Sequence, residues 1–528
     1  MDRRFECRRG RRSGAVPERR EHALIGSRES DAAPRADTVP VLVVGAGPTG
    51  LTAATLLARR GVDCLVVERH RQPYPLPRAV HLDDEVLRIA QAAGVAEEVA
   101  SVCRPALGMR LVDPDLRTLV EIRRDRTVGV HGWPETNMFD QPDLEQVLRS
   151  NLLRHPRATL LTGHEVVAVR PRPDGGAAVD VRDLDIGGVR TVTAGHVLAC
   201  DGANSPLRQQ IGARMRDLGF DQHWLVVDVH SERAMDVWPG VHQICGGPRS
   251  GTYMQIGEHR YRWEFRLPSP EPVDEAAVRA LLAPWFPPDA GPVTVLRHTV
   301  YSHRATVADV WRRGPVFLLG DAAHLTPPFI GQGLGAGQRD AMNLAWKLAA
   351  VVAGEADERL LDTYQPERRA HVTRVILGAV LVGRVMAAPP VRIGHAALRG
   401  LGRLPDPDPI TQRVLAPRLR GSALTPSALS APIGAPLPQW VLADGRRSDD
   451  LLGDGFALLG AAPGGPLDEL VRELDARRVP IADLPAAASW LSRHRLRAAL
   501  IRPDRVVLAT VDGRGRFRGP RSLRSLGR

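Results

Sequence analysis

Three carboxylates in the chain follow directly on short apolar runs. The runs and their acids are residues 64–67 with Glu68, residues 197–200 with Asp201 and, after one glycine, residues 316–319 with Asp321. Continuous apolar runs of this length are typical of strands buried in a parallel sheet, and ligands of open α/β sheets collect at the carboxyl ends of the strands. We therefore expect Glu68, Asp201 and Asp321 to line one ligand site at one sheet edge.

A glycine motif stands between the first two strand-like runs. It is the GxGxxG pattern Gly45, Ala46, Gly47, Pro48, Thr49 and Gly50. An apolar run at 41–44 precedes it, a helical pattern that stops at Gly61 follows it, and Glu68 comes 18 residues after Gly50. Strand, glycine turn, helix, strand and acid together predict a dinucleotide site. A carboxylate at the ribose hydroxyls repels a 2′-phosphate, so the bound dinucleotide is expected to be FAD or NAD rather than NADP.

A second glycine-rich stretch follows the strand predicted at 316–319. It contains Gly320 and Asp321, then Pro327 and Pro328, then Gly331, Gln332, Gly333 and Leu334. Apolar residues recur at helical spacing from about residue 338, so we expect the glycines to form a loop at the positive end of a helix dipole, where an anion is stabilised. The alternative for the glycines alone is a tight strand-to-helix turn without a ligand.

The charge distribution argues against nucleic-acid binding. The net charge is +11, but the first 37 residues carry ten arginines against seven acids, and the last 16 carry six arginines and no acid, which leaves the body of the chain near neutrality. Binding of phosphate backbones needs positive charge clustered on a folded face. Residues 1–37 are predicted to be a disordered Arg-rich tail that could lie upstream of the true start codon, and residues 514–528 to be a basic tail.

The cysteines and the apolar runs restrict the class of protein further. The five cysteines are scattered, without a CxxC pair, which argues against both a zinc cluster and a secreted disulfide framework. His324, close to Asp321, lacks the further ligands of a metal site and is interpreted as packing, so no metal is predicted. The apolar run at 375–388 is broken by Arg384 and is too short to span a bilayer. A cytoplasmic protein without membrane contact is predicted.

The rest of the chain suggests two further structural units. Residues 220–301 alternate apolar and polar positions, which predicts an antiparallel sheet over the ligand, with a helical piece at 274–285. A proline- and glycine-rich link at 405–438 precedes a last unit read as a strand, a helix and two further strands at 455–459, 466–477, 498–502 and 506–510.

The motifs GAGPTG…ER, CDGANSPLR and GDAAHLTPPFIGQGLGAGQRDAMNLAWKL resemble those of the FAD-dependent aromatic hydroxylases, the single-component flavoprotein monooxygenases. The resemblance covers residues 39–384. It implies a mixed α/β fold in which a Rossmann-like FAD-binding domain carries an inserted antiparallel-sheet substrate domain and a C-terminal thioredoxin-like domain. The last unit contains no cysteine, so a redox role for it is excluded.

The resemblance also assigns roles to residues. Besides the two glycine stretches and Glu68, it places Arg69, Arg78, Gln141, Asp201 and Gly202 at the cofactor, and the segment around Pro328 and Gly331 against the flavin ring. No catalytic side chain is implied, because the flavin performs the chemistry. A base that deprotonates a phenol would assist, and Tyr253, His223 and His242 are weak candidates, since single residues of these types are more often packed or solvated.

The implied activity is hydroxylation of a phenolic ring by O₂ through a flavin C4a-hydroperoxide, with NADPH or NADH as transient reductant. The substrate is expected to be 3-(3-hydroxyphenyl)propionate in aromatic catabolism or, alternatively, a polyketide or rifamycin-type antibiotic. A second alternative is a non-oxygenating FAD-fold reductase or binding protein. The protein is expected to be a monomer or homodimer. The FAD-binding domain is predicted at 38–112, 131–215 and 300–404, the substrate domain at 113–130 and 216–299, the linker at 405–438 and the thioredoxin-like domain at 439–513.

Overall fold

The structure is a computed structural model that describes residues 37–75, 78–235, 237–245, 250–286, 292–387, 417–426, 432–461, 464–520 and 522–523. The predicted tail at 1–37, except Asp37, lies outside the described residues, as do half of the predicted linker and the last residues of the basic tail.

The described strands are β1 Thr38–Val44, β2 Cys64–Glu68, β3 His81–Asp83, β4 Cys103–Pro105, β5 Gly108–Val112, β6 Thr118–Arg123, β7 Thr136–Phe139, β8 Ala158–Thr162, β9 His164–Pro171, β10 Ala177–Asp183, β11 Val189–Ala199, β12 Met215–Ser231, β13 Val241–Ile244, β14 Gly251–Gln255, β15 Arg260–Leu267, β16 Val293–Ala308, β17 Arg312–Arg313, β18 Val316–Leu318, β19 His324–Leu325, β20 Ala457–Gly460, β21 Arg477–Val479, β22 Leu496–Ile501, β23 Val507–Asp512 and β24 Phe517–Arg518.

The described α-helices are α1 Pro48–Arg59, α2 Asp84–Ala92, α3 Ala96–Ser101, α4 Gln141–Leu152, α5 Pro206–Gln210, α6 Glu275–Leu282, α7 Gly333–Val352, α8 Tyr364–Ala387, α9 Ser448–Leu452, α10 Pro466–Glu473 and α11 Pro485–Arg493. Short 3₁₀ turns cover Ala283–Trp285, Gly320–Ala322, Pro328–Ile330, Glu358–Thr363 and Ile481–Asp483.

The first sheet brings the predicted strand ends together. Its order is β17-β18-β11-β1-β2-β8, and β18, β11, β1, β2 and β8 are mutually parallel. The register pairs Val44 with both Val67 and Ala199, and Ala199 with Leu318. The residues that follow these four strands therefore meet at one carboxyl edge, which confirms the expected sheet arrangement. One expectation was wrong in detail: the strand predicted at 197–200 is the end of the longer strand β11, which begins at Val189 and ends at Ala199.

The second sheet has the order β19-β16-β12-β15-β14-β13-β5-β6. All its neighbours are antiparallel except β13 and β5, which are parallel. It includes β5, ahead of the predicted boundary at residue 113, and β16 continues to Ala308, past the predicted boundary at 299. The division into domains remains a prediction.

The C-terminal sheet has the order β21-β20-β22-β23-β24, with β20 and β21 parallel and the other pairs antiparallel. Its first four strands, with α10 and α11 as connections, have the β-α-β-α-β-β order of the thioredoxin-like fold. The sequence prediction missed β21 and α11.

The mixed α/β fold class is confirmed. None of the described helices is both long and apolar enough to cross a membrane.

Candidate functional site

The first glycine turn leaves room for a ligand at one position. A Cβ on Gly45, whose φ is +100°, would lie 2.5 Å from the carbonyl oxygen of Cys200, and one on Gly50 would lie 2.0 Å from the carbonyl oxygen of Gly45. A Cβ on Gly47 would meet no atom within 4 Å. Gly45 and Gly50 are therefore required by packing, whereas Gly47, the N-cap of α1, borders open space at a helix N-terminus.

Thr49 has a different environment from the one its motif position predicts. A Cβ on Gly320 would lie 2.9 Å from Thr49 Oγ1, and one on Gly337 would lie 2.3 Å from it. The Thr49 side chain thus packs into the junction of α1, α7 and the Gly320 turn. Packing therefore occupies the Thr49 side chain, which does not face the open space at Gly47.

Glu68 closes the same turn from the neighbouring strand. Its Oε2 accepts a hydrogen bond from the backbone N–H of Ala46 at 2.7 Å, and its Oε1 accepts one from His70 N–H at 2.8 Å. Each carboxylate oxygen keeps a lone pair for a further donor. The arrangement places an acceptor beside the open space at Gly47, as ribose hydroxyls require.

Asp201 follows β11 with one carboxylate oxygen in use. Asp201 Oδ2 accepts from Leu207 N–H at 3.1 Å, while Oδ1 is buried and has no hydrogen-bond partner among the described residues. Burial raises the pKa of this carboxyl. Gly202, with φ +83°, meets nothing within 4 Å of its Cβ position. A donor on a ligand would satisfy Oδ1 at this edge.

Asp321 lies at the adjacent strand end, in the turn Gly320–Ala322. Its side chain is exposed to solvent at the sheet edge. Desolvation by the surrounding protein raises the pKa of the Asp321 carboxyl, and the charges of His324 and Arg78 oppose the rise. Asp321 is thus a cleft carboxyl with Arg78 near it.

The turn that presents Asp321 is held by Asp340 of α7, which the sequence prediction missed. Asp340 Oδ2 accepts from Gly320 N–H at 3.0 Å and bonds His324 Nε2 at 2.8 Å, and Oδ1 accepts from Arg368 Nε at 2.8 Å. The Asp340 side chain is fully buried. His324 therefore has a packing and hydrogen-bonding role, in line with its interpretation from sequence.

The segment from Pro328 to Leu334 corrects the expected loop. α7 begins at Gly333, so Gly333, Leu334 and the next glycines lie in its first turns rather than in a loop before residue 338. Gly331 has φ +63°, and a Cβ there would lie 2.5 Å from His81 Nδ1. A Cβ on Gly333 would meet nothing within 4 Å. The open helix N-terminus is therefore at Gly333, separated from the 3₁₀ turn at Pro328–Ile330 only by Gly331 and Gln332.

The Gln332 side chain does not face the cleft. Its Nε2 donates to Asp83 Oδ2 at 2.9 Å, and its Oε1 accepts from Arg339 Nη1 at 2.9 Å. Arg339 also donates to Asp83 Oδ2 at 2.7 Å and to Glu85 Oε2 at 2.6 Å. This buried network fixes α7 against α2. The adjacent charged residues Arg339 and Asp340, inside an otherwise apolar helix pattern, were the sequence signal that could have predicted these buried contacts.

The three remaining predicted cofactor residues differ in their surroundings. Gln141 Oε1 accepts from the backbone N–H groups of Arg78 and Ala79, at 2.9 and 2.7 Å, and its Nε2 donates to Glu145. Gln141 thus positions the Arg78 loop instead of presenting its own amide. The exposed Arg78 guanidinium lies over the Tyr74 ring at 5.1 Å, and the exposed Arg69 donates to His70.

The second sheet presents one polar side towards this edge. Trp224 packs against Phe329 with 5.5 Å between ring centroids, and Arg262 Nη1 donates to the carbonyl oxygen of Arg78 at 3.1 Å. We call this the cofactor-facing side of the sheet, defined by Trp224, Val226, Asp228, Thr252, Arg262, Glu264 and Arg297, which share one side by register. Asp228 accepts hydrogen bonds from both Arg262 and Arg297 at its centre.

The candidate bases lie on the opposite side of that sheet. Tyr253 stacks on Trp263 at 4.6 Å and on His242 at 5.4 Å, in the apolar cluster around Leu225 and Val227. Burial raises the pKa of Tyr253 and lowers the pKa of His242 to about 4. His223 bonds Ser302 Oγ at the rim. All three candidates therefore turn away from the Trp224 side, and the structure does not support them as phenol bases.

Comparison with known proteins gives one matching family and relatives that are named as aromatic hydroxylases. The family described as FAD binding domain matches residues 38–379. A 3-(3-hydroxy-phenyl)propionate/3-hydroxycinnamic acid hydroxylase of Burkholderia cenocepacia (strain HI2424) is 34% identical over 518 residues, covering 90% of this chain and 94% of the relative. A protein of Rhodococcus jostii (strain RHA1) named "Probable NADH-specific resorcinol 4-hydroxylase" is 32% identical and covers 88% and 91%.

Solved structures give the same picture at the level of the fold. The ternary complex of aklavinone-11 hydroxylase with FAD and aklavinone superimposes with a TM-score of 0.75 and 26% identity, covering 90% of this chain and 95% of that one. The flavin-dependent monooxygenase PieE in complex with FAD and substrate gives a TM-score of 0.72 at 23% identity.

Proposed function

Since the chain belongs to the FAD-dependent aromatic hydroxylases, we propose that it hydroxylates a single-ring phenol, with NADH or NADPH as transient reductant and O₂ as the oxygen source. The observation that carries this proposal is the placement of the sheet's polar cofactor-facing side opposite the Pro328–Gly331 segment. A substrate ring in that position would lie between hydrogen-bonding side chains and the start of α7.

The residues at the carboxyl edge fit FAD. The open space at Gly47 suits a pyrophosphate, Glu68 suits the adenosine ribose, and the unpartnered Asp201 Oδ1 calls for a donor. Asp321, whose carboxyl has no hydrogen-bond partner among the described residues, would take hydroxyls of the ribityl chain. Arg78 would neutralise phosphate charge. We assign close approach of the backbone to the cofactor, without a side-chain contact, to Ala46, Pro48, Thr49, Gly202, Gly320, Gly333 and Leu334.

When bound, FAD would supply the chemistry by accepting hydride from the nicotinamide and transferring one atom of O₂ to the ring. The first-turn N–H groups of α7 at Gly333 and Leu334 would stabilise negative charge near the ring. Phe329 packs edge-on against both Phe220 and Trp224, at 5.5 Å each. This aromatic cluster would exclude water beside the oxygen-transfer site.

The charged residues on the cofactor-facing side of the sheet help to decide whether the substrate carries a carboxylate. The relative of Burkholderia cenocepacia is named for substrates that carry a carboxylate, which makes 3-(3-hydroxyphenyl)propionate the first compound to test. However, Arg262 and Arg297 both donate to Asp228, so a substrate carboxylate would compete with a buried carboxylate for them. An uncharged phenol such as resorcinol is therefore a second candidate. We keep cytoplasmic location and a monomeric or homodimeric state as predictions.

A substrate panel tests the proposal. Purified protein should be yellow, and NADH or NADPH oxidation should rise strongly with the correct phenol while a product heavier by one oxygen forms. The panel contains 3-(3-hydroxyphenyl)propionate, 3-hydroxycinnamate, resorcinol and an anthracycline aglycone. A product from the aglycone alone would replace the single-ring proposal by the antibiotic alternative. Oxidation without any heavier product would leave the non-oxygenating reductase.

A further inference from the structure

Glu264 is a buried carboxyl without a hydrogen-bond donor. Its side chain is about 10% exposed, and its nearest cation, Arg262 Nη1, is 3.9 Å from Oε1. Among the described residues, no donor is recorded within hydrogen-bond distance of either oxygen. Buried carboxylates normally accept several hydrogen bonds, whereas the Glu264 oxygens are not fully enclosed by protein and remain open to a donor that enters the cleft.

The position of Glu264 indicates what that partner is. It pairs with Val226 on one neighbouring strand and Thr252 on the other, in the middle of the cofactor-facing side. One neighbouring pair along the strands contains Trp224, which touches Phe329, and the other contains Arg262, which bonds the Arg78 loop. Glu264 thus faces the cleft between two anchor points on the FAD-binding side.

We propose that the Glu264 carboxylate accepts the hydrogen bond, and then the proton, of the substrate's phenolic hydroxyl. This inference rests on the proposed function. In the step, the phenol O–H bond breaks and a carboxyl O–H bond forms, while the electron pair stays on the phenol oxygen and raises the nucleophilicity of the ring. The proton leaves to solvent when the product is released.

The surroundings suit a base of this kind. Burial raises the pKa of Glu264, and the Arg262 charge opposes the rise. A more basic carboxylate transfers a phenol proton more readily, and the Arg262 charge nearby would also stabilise the phenolate. The other carboxyl of this sheet side, Asp228, is saturated by two arginines and is not available.

The test compares Glu264→Gln with the wild type on the phenol that the panel selects. The amide keeps the shape and loses the basicity. We expect kcat to fall about 100-fold near neutral pH, in the range of general-base contributions. We also expect activity to recover as pH rises towards the phenol's own ionisation, because solution phenolate needs no base. A packing defect would lower the rate equally at every pH and would overturn the proposal.

A binding measurement helps to distinguish failure of this inference from failure of the proposed function. Perturbation of the flavin spectrum should show that the wild type binds the phenol about tenfold or more tightly than its methyl ether, while Glu264→Gln does not discriminate between them. Glu258→Gln, an exposed carboxylate in the loop before β15, is the matched control and should behave as wild type. If the wild type hydroxylates a phenol and Glu264→Gln matches it in rate and pH profile, only this inference fails. If the wild type hydroxylates no phenol, the proposed function fails, and this role with it.

Discussion

Glu68 at the end of β2 accepts the backbone N–H of Ala46 over 2.7 Å, which ties the acid of the βαβ unit directly to its glycine turn. We predict that Glu68→Ala weakens FAD binding about 10- to 100-fold, because hydrogen bonds from ribose hydroxyls to a charged group contribute roughly 1.5–3 kcal/mol. Titration of apoprotein with FAD measures the change. Glu355→Ala, an exposed acid after α7, is the control; an unchanged Kd for Glu68→Ala would remove the ribose assignment.

Gly47 and Gly50 should fail in different ways when replaced by alanine. A Cβ on Gly50 would lie 2.0 Å from a backbone oxygen, so Gly50→Ala should lower the melting temperature of the apoprotein. A Cβ on Gly47 enters open space, so Gly47→Ala should keep the apoprotein's melting temperature and lose FAD affinity. Gly455→Ala, also in open space, controls for the substitution itself. Equal FAD affinity in Gly47→Ala and wild type would place the pyrophosphate elsewhere.

The sequence predicted this edge of the sheet well because each part of it is local. An apolar strand followed at once by an acid or glycine specifies both the strand and the residue that its carboxyl end presents. Gly45, Glu68, Asp201 and Gly320 all stand in that relation, and the parallel register assembles them without further information.

Side-chain direction was not predictable in the same way. Gln332 bonds Asp83, which is 249 residues away in the chain, so its turn away from the cleft depends on a tertiary partner. Alternation in the second sheet predicted two sides, but not which side faces the cofactor. The sequence therefore suggested Tyr253 and not Glu264 as a phenol base, although both residues lie on strands of this sheet. The contact of Trp224 with Phe329 decides the orientation.

Three buried or half-buried histidines whose pKa is lowered in the folded protein should make it sensitive to mild acid. Burial and, to a smaller extent, the charge of Arg124 lower the pKa of His81 to about 4. Burial and the charge of Arg262 lower the pKa of His303 to about 4. Burial lowers the pKa of His371 well below 6.5. Below pH 6.5 the unfolded chain binds protons that the folded chain cannot bind until about pH 4. The free energy of unfolding should therefore fall by roughly 1.4 kcal/mol per pH unit for each such histidine between these limits.

Urea titrations at several pH values measure this slope. His371→Asn should reduce it by about one proton, whatever its effect on stability at neutral pH. His298→Asn, at an exposed position of β16, should leave it unchanged. The carboxylate of Asp340, whose pKa is lowered by His324 and Arg368 against burial, adds stability that is lost only below its unfolded pKa near 4, so it does not contribute in this window. A flat profile from pH 6.5 to 4.5 would contradict the prediction.

Asp340 should link cofactor retention to stability. Asp340→Asn keeps the shape of the side chain and removes the charge that pairs with Arg368 and His324, both buried. Breaking a buried pair costs about 3–5 kcal/mol, so a clear drop in melting temperature is expected. Because Asp340 also accepts Gly320 N–H, the turn that presents Asp321 should loosen and FAD should dissociate faster. Asp362→Asn, on the exposed surface, provides the control; a variant that melts earlier but retains FAD normally would limit Asp340 to a structural role.

We predict that the cysteine-free C-terminal unit stabilises the FAD-binding unit through its contact with α7 and α8. Glu367 of α8 is fully buried and accepts from Arg502 Nη1 and Nη2 at 2.9 and 3.0 Å, and from Lys347 Nζ at 2.9 Å. Arg502→Met removes one partner and leaves a buried carboxylate undercompensated, which should cost about 3–5 kcal/mol. We expect a lower melting temperature and, because α7 carries Asp340, reduced FAD retention. Arg497→Met, at an exposed position of β22, should change neither property. Normal melting and FAD content in Arg502→Met would show that this docking contact does not support the FAD-binding unit.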